Sequence, residues 1–278
     1  MMSKLNYLKK IKKASDYLLQ KGIPENIDLA IILGSGLGEI ADEYENKQKI
    51  SYKKIPFFEQ PTVKKHEGNL YFKVINGKKI LFLQGRLHLY EGYSSKTVTF
   101  PIRVLQFLGC KKIVISNAAG GVSNNLKIGD IMIIVDHINL MGENPLVGEN
   151  YQQLGKRFPS MKNVYSRELI KKVDGIAKNI GLNLQKGVYV GLKGPSLETN
   201  SEYKMVKIIG GDAVGMSTVP EVITAAHAGI KVIGFSIITN IFKPKDEKID
   251  THEKITKVAE RSSKKLIKIV KEVINDLT

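Results

Sequence analysis

The stretch Asp28-Leu-Ala-Ile-Ile-Leu33 is apolar from Leu29 to Leu33 and stops abruptly at Gly34-Ser-Gly-Leu-Gly38. It reads as a buried strand running into a tight loop, and a strand buried on both faces needs a covering layer on each side. Further strand candidates are Ile113–Ser116, Ile131–Val135, Val188–Leu192 and Val232–Ile238. Helical patterns near 95–108, 166–180, 199–209 and 220–228 separate them, so strands and helices alternate. Leu70–Ile75 and Lys79–Leu83 flank Asn76-Gly77, the favoured two-residue hairpin turn, and are expected to pair antiparallel. Residues 3–21 carry Leu5, Leu8, Ile11 and Leu18 at helical spacing, and from Thr251 onward Ile255, Val258, Leu266, Ile269, Val270, Val273 and Leu277 form one stripe. The 278 residues show no internal repeat, low-complexity tract or linker. The expectation is α/β, a single domain over 1–278 with a mixed sheet.

Cys110 is the only cysteine, which rules out an intramolecular disulfide and a cysteine-built metal cluster and fits a reducing compartment. The longest apolar runs, such as Ile131–Val135, fall far short of a membrane span. Lys9, Lys10, Lys12 and Lys13 interrupt the apolar positions near the start, which a secretory signal does not tolerate. A cytoplasmic protein without a membrane partner is expected. The 43 basic against 27 acidic residues give a net charge of +16, which by itself suggests a polyanionic partner. The excess is almost wholly lysine, with arginine only at 86, 103, 157, 167 and 261. Nucleic-acid readers favour arginine, and a chain also rich in Ile and Asn gains lysine from A/T-heavy codons, so solvated surface is the preferred reading.

Several well-known sites are absent. The glycine loop lacks the Gly-Lys-Ser/Thr of a nucleoside-triphosphate loop and misses the dinucleotide spacing. No Gly-x-Ser-x-Gly elbow occurs, and neither His66-Glu67 nor His252-Glu253 has a second histidine at zinc-protease spacing. Gly34–Gly38 is then either a turn that needs positive φ or a loop whose backbone N–H groups and Ser35 converge on an anion. In Gly85-Arg-Leu-His-Leu-Tyr-Glu-Gly-Tyr93 an extended chain projects Arg86, His88 and Tyr90 from one face. That is either a solvated edge strand or a cation, an imidazole and a phenol gathered on a phosphorylated or sugar ligand. Asn117–Gly121, taken alone, is a turn of small residues after a strand. Glu198 follows Gly194-Pro-Ser-Leu197 at a strand end, as a helix-terminal carboxylate or a ligand-reading group. Asp212–Glu221 leads from a short strand to a helix with Pro220 near its start, where Ser217 can meet an anion, and Thr239-Asn240 ends the strand from Val232.

In this order the motifs from Ile31 to His252 closely resemble the trimeric, low-molecular-mass purine nucleoside phosphorylases. The resemblance implies a mixed sheet closing into a distorted barrel flanked by α-helices, assembled as a homotrimer. It implies a phosphate site of Ser35, His66, Arg86, His88, the Ala118 backbone and Ser217, and a ribose site of Tyr90, Met216 and His252 with Phe158 from a neighbouring subunit. Glu198 and Asn240 would read the purine, with Tyr189, Leu197, Val214 and Thr239 around it; His88, Glu198 and Asn240 would carry the catalysis. The implied reaction is phosphorolysis of inosine and guanosine to free purine and ribose 1-phosphate, with inorganic phosphate as co-substrate and no metal or organic cofactor. Lys65 before His66, Leu197 where an aromatic is usual, and Ile241 after Asn240 depart from the family pattern. Methylthioadenosine phosphorylase is the nearest alternative, but it typically carries Asp and Ser where Asn240 and Glu198 stand. An inactive polyanion- or RNA-binding relative, or a hydrolase using water in place of phosphate, are the others; the hydrolase would leave Arg86 and His88 without a role.

Overall fold

A computed structural model describes residues 6–34, 37–41, 43–45, 47–63, 67–242 and 252–276. Its strands are β1 (Leu29–Leu33), β2 (Gln48–Ser51), β3 (Asn69–Ile75), β4 (Lys78–Gln84), β5 (Lys112–Gly121), β6 (Ile131–Asn139), β7 (Gln185–Gly191), β8 (Ala213–Gly215) and β9 (Lys231–Ile241). Its helices are α1 (Tyr7–Gln20), α2 (Ser95–Val98), α3 (Phe100–Phe107), α4 (Arg167–Asn179), α5 (Asn200–Ile208), α6 (Val219–His227) and α7 (His252–Asp276).

The strands form one mixed sheet in the order β2-β3-β4-β1-β5-β8-β7-β6-β9, and β9 pairs back onto β5. Five strands, β5, β8, β7, β6 and β9, therefore close into a small barrel, and β1 to β4 extend from it as an open wing. Side chains alternate between two apolar layers. From β1, Ala30 and Ile32 join Ile11 and Leu18 of α1, Ile102 and Leu105 of α3 and Val222 of α6. Leu29, Ile31 and Leu33 face the opposite way, into Val173 of α4 and Leu266, Ile269, Val270 and Val273 of α7. Cover on both faces is why β1 reads as an unbroken apolar run.

The Asn76-Gly77 hairpin forms as expected, with both residues at positive φ (50° and 76°) and Ile75 opposite Lys78. Three expectations need correction. The pattern near 95–108 is two helices, because Pro101 has no N–H to donate and its ring collides with the carbonyl four residues back. Asn117–Gly121 is the end of β5, paired with β9 through Gly121↔Ile241, and no turn. Gly85–His88 belongs to no strand, and Leu89–Glu91 is a 3-10 turn closed by Gly92 at φ 89°. Among the described residues no helix is long and apolar enough to cross a membrane.

Candidate active site

The site lies where the sheet splits. Along one edge β5 pairs with β1 at Ile113–Ile115 and next with β8 at Gly120–Gly121. Between those pairings Ser116–Ala119 face a gap at the carboxyl end of β1, the place where α/β sheets open to ligands. Arg86 closes its floor. Arg86 is 4% exposed; its guanidinium donates from Nη1 to the Ser116 carbonyl (2.7 Å) and from Nε to Glu221 Oε1 (2.7 Å), and reaches Ser217 Oγ at 3.4 Å. A Cβ on Gly34 would stand 2.0 Å from the Ser116 carbonyl oxygen and 2.8 Å from Arg86 Nη1, so this turn requires glycine for space.

Glu221 ties the cation to a helix. Its second oxygen accepts from the Thr218 N–H (2.8 Å) at the start of α6, while Asn117 Nδ2 donates to Thr218 Oγ1 (2.8 Å). Thr218 holds φ 72°, a strained region for a β-branched residue, and these hydrogen bonds fix it there. Ser217 is thereby presented at the helix N-terminus beside the arginine.

His88 is set by a residue one turn on. Glu91 Oε1 accepts from both the His88 N–H (2.7 Å) and ring Nδ1 (2.9 Å), and Oε2 accepts from the N–H and hydroxyl of Thr62 (2.7 and 2.6 Å). Burial alone would raise the Glu91 carboxyl, but these hydrogen bonds outweigh it and hold the pKa at about 2. The carboxylate only accepts, so Nδ1 carries the hydrogen. The His88 ring stacks on Tyr90 at 4.6 Å and 13°. Burial, then the Glu91 charge, push the Tyr90 phenol up to about 12 against the pull of Arg86, so it stays a neutral hydroxyl.

At the far end of the gap β9 bulges. Ala119 stands opposite Ile238 and Gly120 opposite Asn240, so Thr239 is an extra residue that re-aims Asn240. Thr239 Oγ1 donates to Asn240 Oδ1 (3.0 Å) and lies 3.2 Å from the Ala119 carbonyl. Asn240 Nδ2 donates to Tyr203 Oη (3.2 Å).

One cleft gathers Arg86, His88, Tyr90, Ala118, Leu197, Glu198, Val214, Met216, Ser217, Thr239 and Asn240 of the expected site. Asn117, Tyr203 and Ile255 also line it. Tyr189 does not, contrary to expectation: it is fully buried behind β8, and its hydroxyl accepts from the Ser217 N–H (3.3 Å) because Gly215 leaves it room. Phe158 is 87% exposed and away from this cleft. Ser35, Lys65 and His66 lie outside the described residues, as does the side chain of His252, whose backbone starts α7. Glu221, Glu91 and Tyr203 had not been singled out. Glu91 carried a local signal, a carboxylate three residues after His88, whereas Glu221 meets Arg86 across 135 residues. Among the described residues no group of three or more His, Cys, Asp or Glu side chains could hold a metal ion.

The chain that folds into this closed mixed barrel with a cation-floored cleft is matched over residues 28–275 by the phosphorylase superfamily model. Purine nucleoside phosphorylase 1 of Bacillus subtilis (strain 168) is 44% identical over 265 residues, 95% of this chain and 97% of its own. A Schistosoma purine nucleoside phosphorylase in complex with hypoxanthine has a TM-score of 0.92 at 39% identity, covering 99% of this chain and 100% of that one. The Schistosoma mansoni enzyme in complex with inosine gives 0.91 at 39%, covering 99% of each. The chain belongs to the purine nucleoside phosphorylase family.

Proposed function

We propose that this chain catalyses the reversible phosphorolysis of 6-oxopurine ribonucleosides and deoxyribonucleosides, inosine and guanosine, to the free base and α-(deoxy)ribose 1-phosphate. The observation that carries this reading is that two hydrogen-bonded networks share one cleft. The Arg86–Glu221–Ser217 network sits level with Ser116 of β5, and the Thr239–Asn240–Tyr203 network level with Ala119 and Gly120. Three to four strand residues separate them, roughly 10–13 Å, the scale of a phosphate and a nucleoside laid end to end.

In this proposal phosphate takes the Arg86 end. Glu221 and the Ser116 carbonyl hold the guanidinium in place, and His88, Ser217, the Ala118 backbone, Ser35 and His66 complete the anion's shell. Tyr90, Met216 and His252 hold the ribose. Glu198 and Asn240 read the base edge, with Leu197, Val214 and Thr239 beside it and Tyr189 supporting the wall from behind. Phosphate oxygen then bonds to C1′ as the C1′–N9 bond breaks, through a state with oxocarbenium character. The bonding electron pair leaves with the purine, and an Asn240 N–H aimed at N7 and the 6-oxo edge meets charge that develops only then. Binding both substrates in one cleft supplies the rest by proximity. The exposed Phe158 supports assembly as a homotrimer in which it covers the sugar of a neighbouring copy, and the proposed setting is the cytoplasm.

The experiment is base release from inosine, guanosine, adenosine and methylthioadenosine, with and without phosphate, following ribose 1-phosphate. Phosphate-dependent cleavage confined to inosine and guanosine is expected. Cleavage that ignores phosphate would make the chain a hydrolase, and none at all would make it a binding protein. A variant tests how the anion shell is held. Glu91→Gln sets an NH2 against groups that only donate to Glu91, so the KM for phosphate is expected to rise about tenfold with the nucleoside KM little changed, read from initial rates at varied phosphate.

A further inference from the structure

Tyr203 lines the cleft but takes no part in the reaction as read above. It projects from α5, whose start is fixed by a reciprocal cap between Thr199 and Glu202, and is 8% exposed. Its ring lies parallel to Phe242, with centroids 4.8 Å apart and 13° between planes, and the Phe242 N–H is anchored on the Gly121 carbonyl (2.9 Å). The hydroxyl is thus delivered from a rigid mount to Asn240 Nδ2 at 3.2 Å. The opposing backbone is cut to fit: a Cβ on Gly120 would lie 3.2 Å from both Asn240 Nδ2 and Tyr203 Oη.

An asparagine amide is a two-fold rotor whose flip exchanges a donor for an acceptor. A group that reads a purine edge must keep one orientation, because a 6-oxo group accepts and a 6-amino group donates. Asn240 is gripped at both ends, by Thr239 Oγ1 on Oδ1 and by Tyr203 Oη on Nδ2. With Thr239 alone the amide is held at one end only, and it can swing about that hydrogen bond. The second grip, set across the cleft on another element, fixes the plane of the amide and the place of Nδ2, so that its other N–H meets a base edge in one position.

We infer that Tyr203 is the positioning residue for Asn240, and that its hydroxyl sharpens the preference for 6-oxopurines over 6-aminopurines. The inference rests on the reading of Asn240 as the base-reading group. Tyr203 acts through that amide and carries no reacting atom.

The test is Tyr203→Phe, which removes the hydroxyl and keeps the ring on Phe242, combined in a double-mutant cycle with Asn240→Ala. Three readouts are followed: kcat/KM for inosine and adenosine, the KM for phosphate, and hypoxanthine affinity by calorimetry, with Tm as a check on folding. In Y203F, kcat/KM for inosine is expected to fall about fivefold, the inosine-to-adenosine ratio to narrow by a similar factor, and the phosphate KM to stay put. In the N240A background the same change is expected to cost nothing further in hypoxanthine affinity. An unchanged inosine-to-adenosine ratio in Y203F, or equal losses in both backgrounds, overturns the inference and leaves Tyr203 a packing residue. If the unaltered protein releases no base from inosine and phosphate, the proposed function and this inference fall together. An active parent with a Y203F variant indistinguishable from it sinks the inference alone.

Discussion

Arg86→Ala is expected to lower phosphorolysis of inosine by about a thousandfold or more and to destabilise the fold as well. The guanidinium and its partner Glu221 are 3% and 4% exposed in their side chains, so neither charge is supported by water. Removing the arginine deletes the main phosphate-binding cation of the proposed site and strands a carboxylate beside the place the anion must enter. Breaking a buried pair in this way costs about 3–5 kcal/mol, because the remaining charge has no counterpart. Glu221 also caps α6 through the Thr218 N–H, so any shift it makes to reach water disturbs the loop that presents Ser217.

The two losses separate in a double variant. Adding Glu221→Gln to Arg86→Ala removes the stranded charge and keeps an oxygen for the Thr218 N–H, so much of the Tm is expected to return while activity stays low. Thermal melts beside kcat/KM decide it. If Arg86→Ala keeps within tenfold of parental activity, phosphate does not bind at this end of the cleft.

What the sequence made legible follows from how local each cause is. The β1 run and the Asn76-Gly77 hairpin are written in neighbouring residues and formed as read. The alternation of Arg86, His88 and Tyr90 put all three into the cleft, although the segment is coil leading into a 3-10 turn and belongs to no ladder. Asn117–Gly121 misleads because Gly and Asn are poor strand formers, and pairing along the whole of β9, remote in sequence, overrides that preference. β2 went unread because only Ile50 of its four residues is buried, so an edge strand leaves almost no apolar pattern. Glu221 and Tyr203 owe their roles to partners 135 and 37 residues away, and the Thr239 bulge exists only in the register between two strands. No spacing rule reports such contacts.

Asn240→Asp is expected to reverse the order of substrates, with kcat/KM for inosine falling about a hundred- to thousandfold and adenosine becoming the better of the two. The physical cause is the loss of the amide NH2, which gives one N–H to Tyr203 and offers the other to the base. A carboxylate at this position accepts from Thr239 and Tyr203 and has nothing to give to N7 or a 6-oxo group. It also sets a negative charge against a leaving purine that is itself becoming negative, so the loss should appear in kcat. A 6-amino group donates, and meets the acceptor it needs. Asn240 is 7% exposed, so burial at this site favours the protonated acid, whose O–H is again a donor. Activity of the variant on inosine is therefore expected to recover as pH falls, and its activity on adenosine to decline over the same range. Initial rates for both nucleosides from pH 8 down to pH 5 provide the check. An inosine-to-adenosine ratio that matches the parent at every pH would mean that residue 240 does not face the base, and the base-reading role would pass to Glu198 alone.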